Sequence, residues 1–273
     1  YCKLANEFLR MTKLKFKNIN VHYTDQGKGE VMVLLHGFLE DLSMWDEVIK
    51  SLATSCRIIC VDLLGHGGTE NLGYIHSMED QAAMVKHVLD YLGIRKCDLA
   101  GHSMGGYVAL AVADLYPGIV SGLCLMNSTA LPDDQTKKRN RDRGIKAVKQ
   151  NHKTFIRLAI PNLFSEENRA VFTEEINEIT DKALNMSQQG IISAIEGMKI
   201  RKDRTHLLRN ASFPVFMIIG KKDPALDYLS LLEQATRENI EKVVFDDGHM
   251  SHIENREALI SALKYFKNMS LSQ

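Results

Sequence analysis

Residues 99–110 read LAGHSMGGYVAL: an apolar run stops at a glycine, one serine follows, and a helical apolar pattern begins. Gly101-His102-Ser103-Met104-Gly105 is a G-x-S-x-G pentapeptide. Between a buried strand and a helix, this pattern forms a sharp turn that strains its central residue and exposes the hydroxyl. The exposed point lies at the carboxyl end of the strands, where open α/β sheets bind ligands. Small flanking residues relieve the crowding, and the helix that follows aims its N-terminal amides at the same spot. Ser103 is therefore a candidate nucleophile, and the Met104 amide a candidate oxyanion donor. A plain Gly-Ser turn is the alternative.

A serine hydroxyl needs a base. Ten histidines are available, and in the chain order nucleophile, acid, base, the histidine falls after the last strand. VVFDDGHMSHIEN (243–255) places His249 directly after a strand and Gly248, with His252 as a competitor better suited to packing against the final helix. MIIGKKDPALD (217–227) places Asp223 in the loop after a buried strand. Asp223 could instead cap a helix begun at Pro224; Asp227 already lies inside the helical pattern. A second oxyanion donor comes from LLHGFLEDLSMW (34–45), where Gly37 lets the loop turn so that the Phe38 amide points inward. His36 reads as a brace for that loop. Asp62, Gly65, His66 and Gly67 read as a turn device.

The elements that must position these residues follow from periodicity. LKFKNINVHYTDQGKGE (14–30) reads as two short strands ending in a Gly turn at Gly27 and Gly29, and VMVLLHG (31–37), RIICVDL (57–63), CDLAGHS (97–103) and GLCLMNS (122–128) as strands, the first two buried on both faces. Helical spacing marks 42–53, 78–92 and 108–116. This rhythm implies βαβ units and a mostly parallel sheet. From 131 to about 210 every segment reads as helical; strands then return at 214–220 and 241–247, with helices at 226–237 and 254–267. An interruption inside the sheet pattern suggests one core with a helical insertion.

Composition narrows the function classes. The chain has 273 residues, 45% hydrophobic and 25% charged, as in ordinary globular proteins. Lys plus Arg and Asp plus Glu are both 34, so the formal net charge is zero and gives no electrostatic case for nucleic acid or a membrane surface. No apolar stretch approaches the ~18 residues of a membrane span. The five cysteines, Cys2, Cys56, Cys60, Cys97 and Cys124, form no CxxC or metal cluster. Buried free thiols in a reducing cytoplasm are the expectation. The chain begins without Met, and Met11 reads as a candidate natural start, with 1–10 a remnant or a trimmed extension.

Taken in order, HGF (36–38), GHSMGG (101–106), GKKDP (220–224) and GHMSHIEN (248–255) resemble the α/β-hydrolase fold superfamily over nearly the whole chain. The resemblance implies an α/β class fold: an eight-stranded, mostly parallel sheet with flanking helices and a helical cap inserted after strand 6. The core would be 11–130 and 211–271, and the cap 131–210. The resemblance also implies a Ser103-His249-Asp223 triad with oxyanion amides on Phe38 and Met104, and no metal or organic cofactor. Aspartate-nucleophile dehalogenases and epoxide hydrolases are set aside by Ser103. The expected function is hydrolysis of a small carboxylic ester, lactone or thioester, as in small esterases and enol-lactonase-like members. Two alternatives are a carbon–carbon bond hydrolase or lyase on the same triad and a non-catalytic ligand receptor with this fold. The menaquinone-pathway synthases are similar, but they usually carry arginine where Tyr107 stands.

The expected partner is a small acyl substrate, and a homodimer is left open. The pocket would lie between sheet and cap. Candidates for its wall are Phe38, Leu39, Trp45 and Met104, with Phe155, Leu163, Phe164, Met186, Ile191 and Met198 from the cap, whose alternative is packing of the cap itself. The basic run KKRNRDRGIKAVK (137–149) reads as a solvated helix face, with attraction of a carboxylate-bearing substrate as the other reading.

Overall fold

The structure, a computed structural model, describes residues 10–236 and 240–271. Eight strands form one sheet: β1 (Arg10–Phe16), β2 (Ile19–Gln26), β3 (Val31–Leu35), β4 (Arg57–Val61), β5 (Cys97–His102), β6 (Val120–Met126), β7 (Val215–Gly220) and β8 (Ile240–Phe245). Their order is β1-β2-β4-β3-β5-β6-β7-β8. The β1–β2 and β2–β4 pairs are antiparallel, and every later pair is parallel. Leu99 of β5 lies opposite Val33 on one side and Leu123 on the other, so the strand that leads to Ser103 is central.

The near-continuous apolar strands still obey the two-residue alternation of side chains. Val33, Leu35, Leu99, Leu123, Leu125, Val215, Met217 and Ile219 enter one buried cluster. Met32, Leu34, Ala100, Cys124, Met126, Phe216 and Ile218 enter a second cluster. Helices cover both faces: α2 (Met78–Tyr91) and α3 (Met104–Leu115) supply the first cluster, α1 (Asp46–Leu52) and the final helix, Arg256–Leu271, the second. The four cysteines among the described residues are buried and free, as expected; Cys2 lies outside them.

Between β6 and β7 come only helices: α4 (Gln135–Ala159), α5 (Asn168–Val171), α6 (Thr173–Ala183), α7 (Gln188–Lys199) and α8 (Thr205–Asn210), apart from one short 3-10 turn. Asp134 starts α4 by accepting from the Lys137 amide at 2.7 Å. The helix bends at Asn151 (φ −160°, ψ 95°), whose side chain accepts from the Thr154 amide at 3.0 Å and begins the second half. Ser187 caps α7 by accepting from the Gly190 amide at 3.0 Å. After β7 come α9 (Tyr228–Gln234), α10 (Ser251–Glu254) and α11 (Arg256–Leu271).

Several boundaries differ from the pattern reading: the helix expected at 226–237 shortens to α9, that at 254–267 shifts to α11, and two further differences bear on the site. Residues 42–53 split into a 3-10 turn (Leu42–Trp45) and α1. Helix α3 starts at Met104, directly after the serine, and not at Val108. Gly105 and Gly106 are poor helix formers, which hides the first turn from periodicity, but close packing requires them there.

Candidate active site

Ser103 joins β5 to α3 with φ 50° and ψ −113°, a conformation L side chains rarely adopt. Its amide donates to the Met126 carbonyl at 2.9 Å, and its carbonyl accepts from the Gly106 amide at 3.0 Å and from Ser128 Oγ at 2.8 Å. These bonds hold the strained residue from both sides. A Cβ on Gly101 would collide with the backbone of Gly105, and one on Gly105 with the carbonyls of Leu35 and His36. The glycines are therefore fixed by close approach of β3, β5 and α3.

His249 follows β8, and its Nδ1–H donates to Asp223 Oδ2 at 2.7 Å. The same carboxylate oxygen accepts from Asn127 Nδ2 at 3.2 Å, while Oδ1 accepts from the amides of Ala225 at 2.8 Å and Leu226 at 3.1 Å. Burial alone would push the Asp223 carboxyl up. The charge and hydrogen bond of His249, with the other donors, hold it below its ordinary value, so it stays ionised. Asp227 caps α9 by accepting from the Ser230 amide at 2.7 Å. The His249 amide donates to the Leu163 carbonyl at 2.9 Å, tying this loop to the segment after α4. Among the described residues no hydrogen bond joins Ser103 Oγ to His249, although both line one cavity; such contacts often tighten only with substrate in place.

The loop after β3 is braced as His36 suggested. His36 Nδ1–H donates to the Gly37 carbonyl at 2.7 Å, and its Nε2 accepts from the Leu63 amide at 2.9 Å. Neither the Phe38 nor the Met104 amide donates to a protein acceptor among the described residues. Asp62 anchors the neighbouring turn by accepting from the Leu42 amide at 2.8 Å and the Gly68 amide at 2.7 Å.

A buried pair absent from the sequence reading joins these loops. Glu40 Oε2 accepts from the Gly37 amide at 2.6 Å and from His102 Nδ1 at 2.7 Å, and His102 Nε2 donates to the His249 carbonyl at 2.9 Å. Both His102 nitrogens face acceptors, which requires two N–H donors and hence an imidazolium. Burial opposes that charge, but Glu40 outweighs it and raises the His102 pKa. Burial likewise opposes the Glu40 carboxylate, and His102 outweighs it, bringing Glu40 to about 2. His252 lies 3.7 Å from Glu40 Oε1, and burial pushes its pKa down to about 4. It contacts Glu40 and has no bond to Asp223. Glu40, His102 and His252 bring three donor atoms within 4.8 Å of one another. Because His102 has committed both nitrogens, this cluster does not offer a metal three ligands.

Asn127 also escaped the sequence reading as a functional residue. Its Nδ2 bridges Asp223 and the Gly248 carbonyl, the latter at 3.1 Å, and its Oδ1 accepts from Ser251 Oγ at 2.6 Å. Its own backbone is strained, at φ 44°. An asparagine at the end of a strand next to the one that leads to Ser103 was the available signal.

The cavity holding Ser103 and His249 has a volume of about 270 Å³. Phe38, Phe155, Leu163 and Met198 line it as expected. The other candidates go elsewhere. Trp45 is fully buried in the α1/α11 cluster, because the 3-10 turn carries it to the opposite face of the sheet. Met104, Phe164 and Ile191 are fully buried in the first core cluster. Leu39 and Met186 line a separate cleft beside His22 and Asp62. Nor is the basic run simply a solvated face, since Lys137, Asn140, Arg141 and Gly144 line the Ser103 cavity.

With the fold and this geometry in place, comparisons define the class. The sequence profile of the alpha/beta hydrolase fold matches residues 30–256, and the chain belongs to that family. A thermophilic esterase from Thermogutta terrifontis, solved with malate bound, superposes with a TM-score of 0.88 at 30% identity, covering 95% of this chain and 97% of that one. The enol-lactonase from Burkholderia xenovorans LB400 shares the fold with a TM-score of 0.87 at 22% identity, covering 94% and 100%. A 2-hydroxy-6-oxononadienedioate/2-hydroxy-6-oxononatrienedioate hydrolase from Paraburkholderia phymatum is 40% identical over 114 residues, 40% of each chain. Such stretches span between 28% and 40% of the length of the first curated relatives matched. No helix among the described residues is long and apolar enough to cross a membrane.

Proposed function

We propose that this hydrolase cleaves a small carboxylic ester, lactone or thioester through an acyl-enzyme on Ser103. The observation that carries the reading is the strained Ser103 at the β5–α3 joint, opening into the same cavity as a His249 held by ionised Asp223. Ser103 Oγ attacks the carbonyl carbon while His249 takes its proton. Asp223 holds the imidazole with Nδ1 protonated, which leaves Nε2 free to act as base, and stabilises the imidazolium that forms. The free amides of Phe38 and Met104 bind the tetrahedral oxyanion. His249 then protonates the leaving alcohol or thiol, and a water deprotonated by His249 releases the acid. The helices α4–α8 serve as a cap over the site.

The test is turnover of short p-nitrophenyl esters by wild type and Ser103→Ala. The expected loss is on the order of 10⁶ in kcat; a Ser103→Ala protein with unchanged turnover would contradict the assignment. A second reading, cleavage of a carbon–carbon bond on the same triad, is favoured by the local identity to the Paraburkholderia phymatum enzyme. A vinylogous diketone cleaved faster than any ester would select it.

A further inference from the structure

The wall of the Ser103 cavity carries a charge that acyl transfer alone does not require. Lys137, Asn140, Arg141 and Gly144 sit at helical spacing on α4, so one face of that helix lines the cavity. Arg201, just beyond α7, joins them. Its guanidinium lies over the Tyr107 ring at 4.1 Å, and Tyr107 is one helical turn above Ser103. The cationic wall is thus anchored to the helix that carries the nucleophile.

Two of these cations are held in place by the protein. The Arg201 side chain is 3% exposed; its Nη1 donates to Asp133 Oδ1 at 2.6 Å and to the Met198 carbonyl at 3.1 Å, and its Nε donates to the Leu131 carbonyl at 3.1 Å. Arg141 Nε donates to the other Asp133 oxygen at 3.0 Å. Asp133 is the one carboxylate among the described residues lining the cavity, it pairs with Arg141 and Arg201, and a third cation, Lys137, lines the same cavity. The excess is positive. Arg201 Nη2, both terminal nitrogens of Arg141 and Lys137 Nζ have no protein acceptor among the described residues. Unpaired donors beside a cavity with apolar walls (Phe38, Phe155, Leu163, Ile195, Met198) call for an anionic partner.

We propose that the cavity is a carboxylate subsite as well as an acyl site. Its substrate carries a carboxylate of its own, as in the half-ester, half-thioester or lactone of a short dicarboxylic acid. The free acid group seats against Lys137 and Arg141, close to Arg201, while the scissile carbonyl lies at Ser103. The small volume limits the carbon chain between the two groups. This proposal rests on the hydrolase reading above.

Mono-p-nitrophenyl adipate and its methyl ester differ in size by one methyl group and in charge by one unit. Wild type is expected to favour the anionic ester in kcat/KM by roughly tenfold or more at low salt, the value of one charge-assisted hydrogen bond. Lys137→Gln and Arg141→Gln should each cut the anionic-to-neutral ratio by about the same factor. Lys137 Nζ has no hydrogen-bond acceptor among the described residues, and its backbone bond to Asp134 survives substitution, so its replacement tests the subsite without disturbing the Asp133 cluster. A wild-type ratio at or below unity, or a ratio unmoved in both variants, overturns the subsite while leaving the hydrolase reading intact. If neither ester is cleaved, the hydrolase reading fails, and calorimetry with adipate still tests the subsite. Adipate binding that weakens in Lys137→Gln supports it, and absence of adipate binding to wild type overturns it.

Discussion

At the scale of single residues, the candidate site divides into groups proposed to do the chemistry and groups that hold them. Ser103, His249 and Asp223 were legible because each sits in a short local pattern, and the patterns fall in an interpretable chain order. Glu40 and His102 were not legible as a pair, because 62 positions separate them and only folding brings them within 2.7 Å. Their geometry makes a sharp claim: His102 carries two ring protons at neutral pH. Nitrogen NMR of the histidine rings is expected to show an imidazolium for His102 at pH 7, and a neutral tautomer there would contradict the ion pair. Glu40→Gln removes the carboxylate that holds both the Gly37 amide and His102. Its kcat on ester substrates should fall by on the order of 10², the usual result of displacing catalytic groups by about 1 Å, with KM moving far less. An equal rise in KM with kcat unchanged would assign Glu40 to substrate binding.

At the scale of elements, strand positions were readable because buried parallel strands are nearly continuous apolar runs. Which wall each element presents was not readable. Trp45 follows Phe38 closely in sequence, yet the turn at Leu42–Trp45 sends it to the far face. The charged face of α4 looked solvated because a helical wheel records periodicity and not the neighbour it faces. The β5–α3 joint depends on glycine for lack of space. Gly105→Ala would drive a methyl group into the carbonyls of Leu35 and His36. Such overpacking typically costs about 1–3 kcal/mol, which lowers Tm by roughly 2–12 °C in a protein of this size. A Gly105→Ala protein with unchanged Tm would mean that β3 and α3 can separate freely.

At the scale of the whole molecule, the buried histidines set the pH dependence of stability. Burial holds His66 down to about 3 and His76 and His252 down to about 4. In the unfolded chain each titrates near ~6.5. Below that pH the unfolded state binds more protons, so stability falls with pH, by roughly 1.4 kcal/mol per pH unit for each group still neutral in the fold. Glu40, lowered to about 2 from an ordinary 4.5, adds a loss between those values. His102 works on the other side: its raised pKa contributes stability that is complete below ~6.5 and lost as pH rises through the folded value. Denaturation midpoints measured from pH 4 to pH 9 should therefore peak near ~6.5, whereas a midpoint that rises steadily into acid would contradict the buried neutral histidines. The central claim concerns one oxygen atom, the hydroxyl of Ser103. Its most direct test is peptide mass mapping after treatment with a fluorophosphonate, which phosphonylates an activated serine. The expected result is a single adduct on Ser103, lost in His249→Ala; an adduct on another residue, or hydrolysis that persists with Ser103 fully phosphonylated, would contradict it.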